Sequence, residues 1–315
     1  MRKGQNPAKF VTQVSRPQRI TAAVLSYIPF LSGYFAETLD VLKACLQSIR
    51  KDAGLPFDLM VFDNGSCAEV RDQLLKEKDA GRIQYLVLSN ENIGKGGAWN
   101  IMLAGAPGEI VAYADSDVLF APGWLFRSVE LLEGFPAVGM VTARPFRTPP
   151  EFYERTLQWA RTQASLEEGA FIPWETFRDF NLSLGQSEVE NRRVYAETRD
   201  WRITYHGLTA LAGGSHWQFT AYKSTLRQFL PFDMDKPMGQ VRQLDKRMNE
   251  AGLLRLMVPE PLAMNMSNTL GNMGGAAARQ ALTKKRSLPR RILELGPIKK
   301  TLLAIHNRIF NWYRS

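Results

Sequence analysis

An α/β fold, with a doubly wound and mostly parallel central sheet flanked by helices, is what this sequence predicts. Two features predict it. Four short runs dense in Val, Ile, Leu and Tyr occur within the first 115 residues, without the strict alternation of a half-exposed strand. Helical patterns separate them, and strand–helix alternation implies parallel strands joined by crossovers.

The strands are expected at 20–27 (ITAAVLSY), 57–62 (FDLMVF), 83–88 (IQYLVL) and 110–114 (IVAYA). Between the first two, Val41, Leu42, Cys45, Leu46 and Ile49 fall on one helical stripe. The polar run CAEVRDQLLKEKDAG reads as a helix closed by Gly81, and GGAWNIMLAG as a short helix after the third strand. From Thr148 the texture changes. PPEFYERTLQWARTQASLEEG reads as one helix with Phe152, Leu157 and Trp159 as its buried side, and residues 170–205 read as irregular and rich in aromatics. Strand character returns in LTALAGGSHWQFTAY, interrupted by Gly213-Gly214, while SVELLEG and DKRMNEAG read as helix ends with glycine stops.

The chain has 315 residues, of which 45% are hydrophobic and 23% charged, enough for a sizeable core. No signal pattern opens it, and no apolar stretch is long enough to span a bilayer. Cys45 and Cys67 support neither a disulfide framework nor a zinc site and fit a reducing cytosol. The net charge of +9 suggests nucleic acid until it is located. From Gln280 to Ser315 nine Lys and Arg face Glu294 alone, which leaves about +1 on the rest of the chain. A neutral body with a basic tail argues against nucleic-acid binding. On that tail Ile298, Leu302, Ile305, Ile309 and Trp312 share a helical stripe, a pattern that fits an anionic membrane surface as well as a helix packed on the body.

Three polar groups end strands. The second strand runs into Asp63-Asn64-Gly65-Ser66, the third into Asn90-Glu91-Asn92-Ile93-Gly94, and the fourth into Asp115-Ser116-Asp117. Open α/β sheets bind ligands at that carboxyl edge. In extended backbone Asp115 and Asp117 point to one side, which suits Mg²⁺ or Mn²⁺ shared with a diphosphate; an Asx-type turn is the plain alternative. The stretch 92–100, NIGKGGAWN, opens a helix and places N–H groups and Lys95 towards an anion, yet it is neither a dinucleotide fingerprint nor a Walker loop. Asp63 could accept the ring N–H of a nucleobase or simply sit in a turn.

Taken together, these stretches resemble the family 2 glycosyltransferases of the GT-A (Rossmann-like) fold, closely over 19–130 and loosely over 205–265. The elements that carry the resemblance are Asp63-Asn64-Gly65-Ser66, the run Asn92 to Asn100, and Asp115-Ser116-Asp117 followed by Pro122-Gly123-Trp124. The resemblance implies inverting transfer from a UDP-, dTDP- or GDP-linked sugar to a hydroxyl of a glycan or lipid-linked acceptor. It places Asp63 at the base, Lys95 near the sugar or diphosphate, Asp117 as principal metal ligand, and Asp115 at the metal, ribose or sugar. Ser26, Tyr27, Asn64, Asn92, Gly94, Gly96, Asn100 and Ser116 complete the expected donor side.

The acceptor side is expected at Gly213, Gly214, His216 and Trp217. Such a displacement needs a base. The acidic pair that precedes the family's Arg-Leu-x-x-x-Gly helix end is replaced by Gln240 and Val241, and the family's later His by Asn265 or Asn268. Asp245 is therefore the first candidate base, with an exposed helix charge beside Lys246 as the equal alternative, and Asp233 or Asp235 follow. Residues 1–18 read as an extension, 19–125 as the nucleotide-sugar half, 126–265 as the acceptor half, and 266–315 as the basic tail with its amphipathic helix. A cytoplasmic protein peripheral to the inner face of the plasma membrane is expected. Two rivals stand: a non-catalytic nucleotide-sugar or glycan binder, and a sugar-phosphate nucleotidyltransferase, whose glycine-rich loop should occupy the place of SYIPFLSGYF.

Overall fold

The structure is a computed structural model and describes residues 4–235 and 241–272. The basic tail expected from Gln280 onward, with its amphipathic helix, lies outside the described residues, as does Gln240. The chain begins its sheet with β1 (Ile20–Ser26), α1 (Thr38–Ser48), β2 (Asp58–Asn64), α2 (Ala68–Asp79), β3 (Tyr85–Ser89), α3 (Gly94–Gly105) and β4 (Ile110–Asp115). Every residue of β1 is buried, as a strand covered on both faces requires. In α1 the stripe Val41, Leu42, Cys45 and Leu46 is the buried one. All four expected strands and the three helices between them are present, with ends shifted by a residue or two.

The second half contains β5 (Val118–Phe120), α4 (Trp124–Gly134), β6 (Val138–Thr142), α5 (Glu154–Gln163), β7 (Ser165–Gly169), α6 (Trp174–Ser183), α7 (Glu188–Glu197) and β8 (Asp200–Tyr205). It closes with β9 (Leu208–Ala212), β10 (Gln218–Tyr222), α8 (Lys223–Arg227), α9 (Arg242–Glu250), β11 (Leu254–Met257) and β12 (Ala263–Asn265). Two expectations are corrected here. The single helix over PPEFYERTLQWARTQASLEEG stops at Gln163, because Ser165–Gly169 pairs antiparallel with β8, where Glu167 meets Arg202 across the ladder at 2.6 Å. Leu157 is buried, but Phe152 and Trp159 are only half-buried. Residues 170–205 are not irregular: they form α6, α7 and β8. Their aromatics pack on each other, Tyr195 on Trp174 and Phe177, and so blur the period of each helix.

One ten-stranded sheet runs in the order β3-β2-β1-β4-β10-β6-β11-β9-β8-β7, and β5 pairs separately with β12. From β3 to β4 every pair is parallel; β10 is inserted antiparallel between β4 and β6. The chain leaves β1 on one side for β2 and returns on the other as β4, which makes their carboxyl ends the switch point where ligands bind. Beneath it, Trp99 of α3 is fully buried and edge-on to Tyr113, Phe219 and Phe232. This aromatic floor holds α3 against the sheet. Past 265 the chain still belongs to the body rather than to a tail: Met266 donates to the Asp117 carbonyl at 2.7 Å and Asn268 to that of Tyr34 at 2.8 Å. Among the described residues no helix is long and apolar enough to cross a membrane.

Candidate functional site

The parallel register brings the expected donor residues into one row, Ser26 beside Asp63 and Leu25 beside Asp115. Asp63 is fully buried. Its Oδ2 accepts the Ser66 N–H at 3.2 Å, closing the turn that begins there. Its Oδ1 has no partner, and neither has the buried Ser26 Oγ. Burial pushes the Asp63 carboxyl above its ordinary value, against the opposing pull of Ser66. Gly65 sits at φ 83°, and a Cβ there would lie 2.8 Å from the Glu91 carbonyl carbon, so only glycine lets the two loops touch. Tyr27 packs edge-on against Phe35 at 6.4 Å.

Of the expected donor residues, Asn64 has both ends of its amide bonded within the scaffold, while Asn92 uses its carbonyl oxygen there and is itself exposed. Asn64 accepts from the Ile93 N–H at 3.0 Å and donates to Asn92 at 2.9 Å, while Asn92 accepts from the Gly94 N–H at 2.8 Å. They build the turn that aims α3 at the sheet edge. Asn100 is likewise structural: both ends of its amide bond the Phe232 backbone, at 2.8 and 2.6 Å. The glycine-rich loop is closed on one side by the same segment, since a Cβ on Gly96 would lie 2.7 Å from the Asp233 carbonyl oxygen. Gly96→Ala should therefore displace residues 232–234 and destabilise the protein by about 1–3 kcal/mol, the usual cost of overpacking, measurable as a lower midpoint in urea.

Lys95 does not point at open solvent. It is buried, with Nζ 2.7 and 2.8 Å from the two oxygens of Asp115 and about 5.5 Å above the rings of Trp99 and Tyr113. The Tyr113 hydroxyl donates to the same carboxylate. Asp115 thus has its charge compensated by the protein itself. Tyr113 was missed by sequence reasoning, although its place two residues before Asp115 puts both on one face of β4.

The extended geometry expected for Asp115-Ser116-Asp117 does not hold. β4 ends at Asp115 and the chain turns at Ser116-Asp117, so the two carboxylates meet different neighbours. Asp117 faces β12, where Asn265 donates to Oδ2 at 3.2 Å. Its Oδ1 is buried without a partner. Burial first, and then the charge of Asp115, push the Asp117 carboxyl up to about 7. Among the described residues no group of three or more His, Cys, Asp and Glu is arranged to hold a metal ion. A cavity of about 500 Å³ lined by Arg19, Phe126 and Glu133 opens at the amino end of β1, away from all these groups.

On the acceptor side the turn between β9 and β10 abuts the same edge, because the Trp217 carbonyl accepts the Asp115 N–H at 2.9 Å. Trp217 itself is buried against Phe146 and Phe180. Gly213 and Gly214 take φ of 132° and 151°, and the Gly214 carbonyl accepts from Arg255. Asp245 is not an exposed helix charge: it is 4% exposed, with Oδ1 2.6 Å from Arg255 and Oδ2 2.6 Å from His216 Nδ1. Both oxygens are taken, so it is not a free base. Asp233 and Asp235 are exposed, and Val241 is buried. Arg255 was also missed. The signal was an arginine inside the apolar run LLRLMV, which requires a buried counter-charge.

The model of the family described as "Glycosyl transferase family 2" matches residues 34–191, half of the chain. The chain belongs to that family. An uncharacterized glycosyltransferase of Nostoc sp. is 30% identical to this family 2 chain over 102 residues, which are 32% of the chain and 31% of that relative. The chain thus matches about a third of the curated relative's length. Among solved structures, the mannosyltransferase PcManGT of Pyrobaculum calidifontis, in complex with GDP-Man and Mn²⁺, superposes with a TM-score of 0.49 at 17% identity, over 90% of this chain and 68% of that one. TarS 1–349 of S. aureus, in complex with UDP, gives 0.46 at 12% identity, over 78% and 59%.

Proposed function

We propose that this family 2 chain is an inverting glycosyltransferase that moves a hexosyl or deoxyhexosyl group from a UDP-, dTDP- or GDP-linked donor to a hydroxyl of a glycan or lipid-linked acceptor. One observation carries the reading. Of the thirteen buried side-chain polar atoms without a partner among the described residues, three gather at the carboxyl edge of the parallel strands: Ser26 Oγ, Asp63 Oδ1 and Asp117 Oδ1. Buried polar groups are normally satisfied, and such orphans at a ligand-binding edge await ligand atoms.

Each orphan fits a part of the donor. Asp63 Oδ1 is an acceptor suited to the ring N–H of uracil, thymine or guanine, with Ser26 beside it. Asp117 fits Mn²⁺ or Mg²⁺, which prefer hard oxygen ligands and share few protein carboxylates with phosphate oxygens. When bound, such an ion supplies charge compensation for the departing diphosphate. Lys95 and Tyr113 hold Asp115 in one orientation, where its oxygens can receive ribose or sugar hydroxyls. The basic stretch beyond Gln280 carries charges worth about 1 kcal/mol each at an anionic membrane, which suits a lipid-linked acceptor at the inner face of the plasma membrane.

The test is thermal stability in the presence of UDP, dTDP, GDP and, as a control, ADP, each with and without Mn²⁺. One of the first three should raise Tm by about 4 °C at a hundredfold excess over its Kd, more with the metal than without. If none does, or if ADP does equally well, the donor-site reading fails.

A further inference from the structure

We propose that His216, oriented by Asp245, is the general base that takes the proton of the attacking hydroxyl; the assignment rests on the donor-site reading above. His216 lies in the tight turn whose next residue, Trp217, accepts the Asp115 N–H at 2.9 Å, so it borders the strand end that carries Asp115 and Asp117. Its Nδ1 is 2.6 Å from Asp245 Oδ2, and Asp245 Oδ1 is 2.6 Å from the guanidinium of Arg255. A carboxylate paired with arginine accepts on both oxygens, so Nδ1 carries the ring proton and Nε2 carries the lone pair. Among the described residues nothing hydrogen-bonds Nε2, and 20% of the side chain is open to solvent.

Arg255 fixes this arrangement from behind. It is fully buried and also donates to the carbonyls of Phe152 and Gly214, so Asp245 is held by a group that cannot swing away. Val241 stands where the family's acidic pair would fall and is buried, and Asp233 and Asp235 are exposed. A base aligned by a buried carboxylate is a recurrent solution to proton abstraction from a hydroxyl.

In the displacement the acceptor oxygen bonds to the anomeric carbon while its proton passes to Nε2. The bond from that carbon to the diphosphate oxygen breaks, and its electron pair leaves with the phosphate. The imidazolium so formed faces Asp245, and its extra proton is lost to water after the product departs.

The experiment measures nucleoside diphosphate released from UDP-, dTDP- and GDP-linked hexoses by the full chain with Mn²⁺, water serving as acceptor. His216→Gln should lower kcat about 100-fold or more, with donor KM and nucleotide-induced stabilisation unchanged. Imidazole added to His216→Ala should restore part of the rate. The chain has only three histidines, so nitrogen NMR can read the ring directly: wild-type His216 should show the Nδ1–H form, and Asp245→Asn should lose it along with kcat. Unchanged kcat in His216→Gln, loss of nucleotide stabilisation together with turnover, or a wild-type ring protonated at Nε2 would each overturn the assignment. Failure of the donor site is seen separately, as wild-type protein that no nucleoside diphosphate stabilises, and it withdraws both.

Discussion

Asp117→Asn is expected to abolish the Mn²⁺-dependent part of nucleotide stabilisation and, in the same protein, to raise stability without metal at pH 8. The first effect follows from replacing a carboxylate whose Oδ1 is buried and unpartnered with a neutral amide, a far poorer ligand for Mn²⁺. At a hundredfold excess of ligand over its Kd that part is worth up to about 2.7 kcal/mol. The second follows from linkage. Burial and the charge of Asp115 raise the Asp117 carboxyl to about 7, whereas in the unfolded chain it titrates near its ordinary value. Between about pH 4 and 7 the folded state therefore holds a proton that the unfolded state has lost, and stability falls as pH rises through that window. Asparagine removes the penalty. Metal-free melts should show the variant above wild type at pH 8 and level with it near pH 4. A variant that keeps full Mn²⁺-dependent stabilisation would sink the assignment of Asp117.

Arg255→Met should be the most damaging single change in the body of the protein. It leaves the carboxylate of Asp245 and the carbonyls of Phe152 and Gly214 without their donor in a site closed to water. Breaking a buried pair by removing one partner costs about 3–5 kcal/mol, here a fall in Tm of about 5–8 °C. Adding Asp245→Leu should recover much of the loss, because replacing both charges by apolar groups of similar volume is often near neutral. If the double variant melts no higher than the single one, the pair is not what the arginine stabilises.

The donor half was legible because its signals are local. β1, β2 and β4 are largely apolar, and the polar groups that follow the second, third and fourth strands mark the edge those strands reach. That position marks Asp63 and Asp117 as candidates, and the family resemblance adds the roles expected of them. The geometry of Asp115-Ser116-Asp117 could not be read there, since the turn at Ser116 is set by the pairing of β5 with β12, nearly 150 residues apart in sequence. Asn64 and Asn100 carry the right chemistry for a ligand and are satisfied by backbone groups that only the fold brings near. The acceptor side was the least legible. His216 and Asp245 are 29 residues apart, and neither a period nor a spacing links a turn residue to a helix residue. Edge strand β7 was lost for another reason: SLEEG has one apolar residue, and its pairing with β8 depends on a partner rather than on burial.

The insertion of β10 between β4 and β6 also sets a timetable for the growing chain. β4 is complete at Asp115, but the strand that caps its open side begins at Gln218. At about 5–20 residues per second, a ribosome takes roughly 5–20 s to make the intervening stretch. Throughout that interval a nascent chain displays an apolar strand with unsatisfied backbone groups, the kind of surface on which chains join to one another.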